Sequence, residues 1–399
     1  MTKQISLEPE YALLLDAVAP LTAARSQHTS WGPASWGRLL DIADWHRLSP
    51  ALFVHLRHVG HAPEPVLSAL ERAYLANAAR SLYMRAATAR VVGAIADAGI
   101  ESILLKGSAL VHTVYADPAQ REMLDVDLLV RAKQLAPATA AVRALGYEPQ
   151  IDEDAGGDGP HPNSLGAHHH AALADPERLV AVELHQHITT PEEGRFSLDR
   201  LWCRATPAIL RGGLLPSPED LLIHLCFHFT RNRLGGSAER RNTGGALGQI
   251  LDIRQVVSSH AIDWDLVART SRDWGLGKRV FLGLFAAGEL GVAIPRSGVA
   301  AIRPDGFNEE LGRRLVQLRV LRTDQHLPVR SMRWMFAPNR EALRRGWNAD
   351  PAATLSLARA YMRRAKAHLP EARSAVGRPW EYLQDRRLNG EIDALRERA

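Results

Sequence analysis

Cysteine is scarce: Cys203 and Cys226 are the two in 399 residues. They cannot build a disulfide framework, and they are too few for a cysteine-rich zinc centre. No run of about 18 apolar residues occurs, so no membrane-spanning helix is expected. The opening stretch, MTKQISLEPEY, lacks the basic-then-apolar pattern of a secretory leader. A Gly-x-Ser-x-Gly elbow is missing, which argues against an α/β-hydrolase nucleophile. Neither a Walker A loop nor a Gly-x-Gly-x-x-Gly turn is present. What remains is a globular chain with a cytoplasmic address, whose chemistry is carried by other devices.

The chain is 46% apolar and 23% charged, an ordinary globular balance with length enough for two or three domains. Its net charge of +5 is uneven. Residues 330–399 hold 15 Lys and Arg against 8 Asp and Glu, a balance of +7, which leaves −2 for residues 1–329. Such a basic end can meet an acidic partner, nucleic acid included. Its arginines, however, are interleaved with apolar residues, as in TLSLARAYMRRAKAHL, a spacing that predicts packed helices with charge spread over several faces. A small-molecule or peptide acceptor is therefore favoured over nucleic acid.

Apolar residues recur at three- and four-residue spacings through 1–99, which predicts helices up to a C-cap at Gly99. Residues 100–205 change period. IESILLKG reads as a strand, SALVHTVYAD as a short helix closed by Asp117-Pro118, and REMLDVDLLV as a second strand. RAKQLAPATAAVRALGY follows as an amphipathic helix, with a third strand near 147–151. Residues 152–167, rich in glycine and polar groups, predict a loop or flap. HHHAALA and LVAVELHQH, joined by DPER, predict a hairpin. Residues 206–399 read as helical again, and Ser217-Pro218-Glu219-Asp220 is a helix start. The fold class is α+β, a small mixed-sheet domain flanked by N-terminal and C-terminal helical regions.

Within the second strand, Asp125 and Asp127 share one face while Leu124, Val126 and Leu128 take the other. Two adjacent carboxylates repel, so a cation is expected between them; a magnesium or manganese ion and a salt bridge to Arg121 are the alternatives. Lys106-Gly107-Ser108 closes the preceding strand and opens a helix, a turn suited to phosphate oxygens. Glu183, alternating with Val182 and Leu184, offers a third carboxylate on the face it shares with His185. With an even-length loop around Pro176-Glu177, paired residue numbers in the hairpin sum to 353. His170 then opposes Glu183, and His168 opposes His185. Three histidines and a glutamate on one face could instead hold zinc. Asp263 and Asp265 lie between helices and read as helix caps. His224 and His228, one turn apart on an apolar helix, read as core or substrate-facing.

The stretches LLKGSALVHTVYADPAQREMLDVDLLV and HHHAALADPERLVAVELH resemble a family of uncharacterised bacterial nucleotidyltransferases of the DNA polymerase β-like superfamily. The likeness rests on Lys106, Gly107, Tyr115, Arg121, Asp125, Asp127, Glu183 and His185, and extends to DWHRLSPALF at 44–53 and SPEDLLIHLCFH at 217–228. It implies a polymerase β-like core and transfer of an NMP from an NTP, with pyrophosphate leaving. Asp125, Asp127 and Glu183 would be catalytic and hold Mg2+ or Mn2+. Lys106, Gly107, Ser108, Arg121 and His185 would bind the nucleotide. A catalytically silent binding protein, a transfer-RNA-modifying enzyme and a zinc hydrolase are the competing readings.

Overall fold

The helical period of the first hundred residues resolves into α1 (Pro9–Ala17), α2 (Pro33–Trp45), α3 (Ser49–Val59) and the 34-residue α4 (Glu64–Asp97). The computed structural model describes residues 7–17, 33–60, 62–150, 172–177, 179–189, 197–234 and 244–321. Helix α4 ends as expected. Gly99 adopts φ +72, and its N–H donates to the Ala96 carbonyl at 2.9 Å while Ile100 N–H reaches Ile95 at 3.1 Å.

The mixed core then runs β1 (Ser102–Leu104), α5 (Lys106–Thr113), β2 (Asp125–Leu129), α6 (Leu135–Arg143), β3 (Glu148–Pro149), β4 (Leu173–Ala174) and β5 (Ala181–His185). After it come α7 (Leu198–Arg204), β6 (Thr206–Pro207), β7 (Gly213–Leu215) and α8 (Pro218–Phe229), which continues into a π-helical turn at Thr230–Leu234. The remaining helices are α9 (Ala246–Ser259), α10 (Trp264–Asp273), α11 (Gly277–Glu289), α12 (Arg296–Ala300) and α13 (Glu309–Val316). The described parts of all three sequence regions pack into one compact unit. Residues 152–167, His168, His170 and the basic stretch 330–399 lie outside the described residues.

Among the described residues the strands form one sheet in the order β3-β4-β5-β2-β1-β7-β6. Strands β6 and β7 were not expected: with two and three residues they are too short to show a period. β2 pairs antiparallel with β1 and parallel with β5, so Asp127 lies directly beside Glu183. In the β4–β5 hairpin Leu173 faces Val182 and Ala174 faces Ala181, so paired numbers sum to 355. This corrects the expected register by two. The cause is Asp175, whose carboxylate accepts the N–H groups of Leu179 at 2.7 Å and Val180 at 2.9 Å, enlarging the loop to four residues. A shift of two keeps every side chain on its face, so Glu183 still points with Asp127.

Helix α4 does two jobs. Its apolar side, with Val91, Val92 and Ile95 fully buried, lies on the sheet, where a Cβ at Gly213 would meet Val92 at 3.1 Å and Leu104 at 3.0 Å. Its polar side fixes the segment leading into β2. Tyr74 donates to Asp117, Asn77 to the Ala119 carbonyl at 2.7 Å, and Arg80 to the Met123 carbonyl at 2.9 Å. The start of β2 is thereby aimed from outside the sheet.

At the other end, Ser217 caps α8 through the Asp220 N–H at 3.2 Å, with Pro218 in the first turn, as expected. Asp263 caps α10 by accepting the Leu266 N–H, which assigns the Asp263/Asp265 pair to capping. Helices α8 and α11 approach so closely that a Cβ at Gly283 would lie 2.8 Å from Cys226 Cβ and 3.0 Å from its backbone. Backbone cannot step aside for a methyl group. We expect Gly283→Ala to lower unfolding stability by about 1–3 kcal/mol, read by urea denaturation; an unchanged midpoint would refute the tight α8–α11 contact.

Candidate active site

Strand β2 brings Asp125 and Asp127 to one face, while Val126 and Leu128 are fully buried on the other. Asp127 is 2% exposed, and its Oδ1 lies 2.7 Å from Lys106 Nζ and 2.7 Å from His185 Nε2. His185 Nε2 is also 3.6 Å from Glu183 Oε2. The carboxylates are not equivalent. Burial opposes ionisation of Asp127, yet Lys106 and His185 override it and hold its carboxyl well below the usual range. Burial and the neighbouring Asp127 push Asp125 up to about 7. Glu183 is raised by the same two causes. For Lys106, burial is outweighed by Asp127, Asp125 and Glu183, so its ammonium is held more firmly than usual.

The Lys-Gly-Ser turn sits where the sequence places it, but its residues act differently. Lys106 adopts φ +44, a left-handed conformation uncommon for a side-chain-bearing residue. It pairs with Asp127 and lines the cavity in front of it. Ser108 was expected on the phosphates; it is fully buried, and its Oγ accepts the backbone N–H of Asp127 at 3.1 Å. Its hydroxyl therefore ties α5 to β2. A Cβ at Gly107 would fall 2.5 Å from Arg121 Nη1, so the glycine makes room for that guanidinium.

Arg121 is paired with Asp252 and not with Asp125. Its Nε and Nη2 form a fork on Asp252 of α9, at 2.8 and 2.9 Å, and Tyr115 Oη donates to the same carboxylate at 2.7 Å. Burial disfavours the guanidinium charge, but Asp252 more than offsets that and raises its pKa. His185, expected among the nucleotide ligands, is 4% exposed and lies against Asp127 and Glu183 instead.

A cavity of about 360 Å³ opens in front of β2. Asp125, Asp127, Lys106, Gly107 and Arg121 line it, together with Arg47, Arg233, His228 and Gln249, which lie far away in sequence. Glu183 and His185 are not in that lining. His224 is buried behind the site, and burial followed by Lys106 pushes its pKa down to about 3. His228 is lowered by the same causes and lies 3.2 Å from Gln249 Nε2 and 2.8 Å from Asn232 Nδ2. Both imidazoles are neutral near pH 7, consistent with the core or substrate-facing roles read from their spacing.

The donor set suits a hard divalent cation. One ligand atom each from Asp127, Glu183 and His185 lies within 4.8 Å of the others, and Asp125 stands beside them. Carboxylate oxygens are the ligands magnesium and manganese prefer, and an imidazole nitrogen is tolerated by manganese. The raised Asp125 and Glu183 mark a face with more negative charge than Lys106 alone balances. The zinc alternative needed His168 and His170, which lie outside the described residues.

Sequence comparison bears on the same residues. A family model described as "Uncharacterised nucleotidyltransferase" matches residues 32–291, from α2 to just beyond α11, and so includes every strand and the whole cavity. No curated protein and no solved structure matches the chain. No described helix is long and apolar enough to cross a membrane.

Two outcomes test this geometry. Ser108→Ala leaves the buried Asp127 N–H without its acceptor, and we expect a loss of about 1–3 kcal/mol in unfolding stability, read by chemical denaturation. The second concerns protons and metal. Asp125 holds its proton up to about pH 7 in the folded protein, so a divalent ion must compete with that proton below pH 7 and not above it. The rise in melting temperature produced by Mn2+ should therefore grow between pH 6 and pH 8. The increment isolates this term because His224 and His228, lowered by burial, contribute a slope of the same sign with or without metal, which the difference removes: their stabilisation is lost as pH falls below the unfolded imidazole value. A pH-independent increment would contradict the assignment.

Proposed function

The chain belongs to the uncharacterised nucleotidyltransferase family and is a nucleotidyltransferase; from that premise we propose that it moves an NMP from an NTP to an acceptor hydroxyl of a small molecule or peptide. The bond between the acceptor oxygen and the α-phosphorus forms, the α–β phosphoanhydride breaks, and pyrophosphate leaves. The observation that carries this reading is the parallel pairing of Asp127 with Glu183, which sets a third carboxylate beside Asp125 and Asp127.

Asp125, Asp127 and Glu183 would hold Mg2+ or Mn2+, which supplies charge neutralisation for the phosphates and lowers the pKa of an oxygen it contacts. Each residue then has a separate task. Asp127 is locked by Lys106 and His185 and gives the site a fixed ionised carboxylate. Asp125 lines the cavity and adjusts its charge as the nucleotide arrives. Glu183 stands outside the cavity lining with a quarter of its side chain exposed, and its raised pKa suits it to take the acceptor proton. The acceptor thus approaches from the Glu183 side and the nucleotide from the cavity. Lys106 supplies a cation next to both.

The test is incubation of the full chain with each labelled NTP, Mg2+ or Mn2+, and panels of small molecules and peptides, followed by mass spectrometry for an NMP-sized gain. Asp125→Asn should lower transfer by about 10²–10³-fold, because losing a metal ligand removes several kcal/mol of transition-state stabilisation at about 1.4 kcal/mol per tenfold. The same change removes a half-buried carboxylate whose ionisation Asp127 opposes, so above pH 7 the variant should melt no lower than the parent. Undiminished transfer by Asp125→Asn would sink the reading.

A further inference from the structure

Among the described residues, two that are not glycine adopt positive φ: Lys106 at +44 and Arg47 at +58. Both line the cavity, and both are cations. Side-chain-bearing residues are held in that region against strain, and such strain gathers where a side chain must point a particular way. Lys106 has its explanation in Asp127. Arg47 belongs to no part of the carboxylate site.

Arg47 follows α2 and meets α9 at its start. Gly245 N–H donates to the Trp45 carbonyl at 2.8 Å, a Cβ at Gly244 would come within 2.5 Å of the same oxygen, and one at Gly248 within 3.0 Å of the His46 carbonyl. Gly244 and Gly248 are therefore pressed against the backbone of Trp45 and His46 with no room for a Cβ. This packing carries Arg47 toward Arg233: a Cβ at Gly245 would lie 3.4 Å from Arg47 Cδ and 3.6 Å from Arg233 Nη2.

Arg233 is 5% exposed and lies on the π-helical turn Thr230–Leu234, a distortion that costs helix geometry and recurs at binding sites. Gln249 holds it in place, accepting from Nε at 3.1 Å. Burial, then Arg47, depresses its pKa to about 10. Arg47 is lowered by burial, against the pull of Glu122 and Asp125. Two guanidinium groups are thus brought together in a partly dry cavity, against their mutual repulsion.

We propose that Arg47 and Arg233 form a polyphosphate subsite that receives the β- and γ-phosphates of the NTP and retains the departing pyrophosphate. This rests on the nucleotidyl-transfer reading. It moves the phosphate tail from the buried Ser108 to two arginines separated by 186 positions. Guanidinium is the planar donor that suits phosphate oxygens, and paired arginines recognise a chain of phosphates better than a single one. Discrimination follows: an NTP engages the pair, whereas an NMP, which lacks the tail, does not.

The experiment is calorimetric titration of the full chain, without divalent ions, using inorganic tripolyphosphate and separately an NMP. Wild type should bind tripolyphosphate. Arg47→Gln, Arg233→Gln and Arg47→Gly should each bind it at least tenfold more weakly, while any NMP binding stays unchanged. Arg47→Gly guards against misfolding, because glycine takes φ +58 without strain; should Arg233→Gln fail to fold, the Arg47 variants decide. Unaltered tripolyphosphate binding in the Arg47 variants, or none by wild type, would overturn the subsite. Arginine-dependent binding by a protein that transfers no NMP would leave the subsite standing and sink the transfer reading alone.

Discussion

A carboxylate that is 2% exposed cannot stay ionised without cations at hand, and Asp127 is that carboxylate. Lys106 reaches it from the start of α5, His185 from the end of β5, and Ser108 receives its backbone N–H. Two elements, α5 and β5, are thus anchored on one residue of β2. The strain at Lys106, the exclusion of solvent around Ser108 and the like-charge pressure on Asp125 and Glu183 all follow from placing that charge at the centre of the sheet.

A second tie joins this centre to the C-terminal helices. The forked pair of Arg121 with Asp252, reinforced by Tyr115, connects the segment before β2 to α9. Helix α9 in turn packs its first turn on residues 45–47, between α2 and α3. Helices from both ends of the matched region therefore wall one cavity. The floor of that cavity is chemistry that a short α/β unit supplies; its walls are built by the helices around it.

How much of this was legible in the sequence depended on range. Asp125 and Asp127 stood out because a period of two is visible inside five residues, and Glu183 and His185 for the same reason. Helix ends at Gly99 and Ser217 were equally local. The hairpin register missed by two because the sequence cannot say that the Asp175 side chain will cap two amides and lengthen the loop. The position of Ser108 in the first helical turn does not reveal that its hydroxyl accepts the Asp127 N–H. Arg233 and Asp252 had no local signal at all, and Arg47 lay within the family-like stretch DWHRLSPALF with no role assigned to it. Arg47 meets Arg233, and Asp252 meets Arg121 and Tyr115, across more than a hundred residues.

The parallel pairing of β2 and β5 has an evolutionary corollary. Parallel neighbours cannot be joined by a tight turn, so the 51 residues between Leu129 and Ala181 form a detour that returns to the sheet. Asp127 and Glu183 are aligned by the strand ladder and not by the length of that detour. Insertions or deletions in the intervening segment can therefore be absorbed without moving the two carboxylates relative to one another.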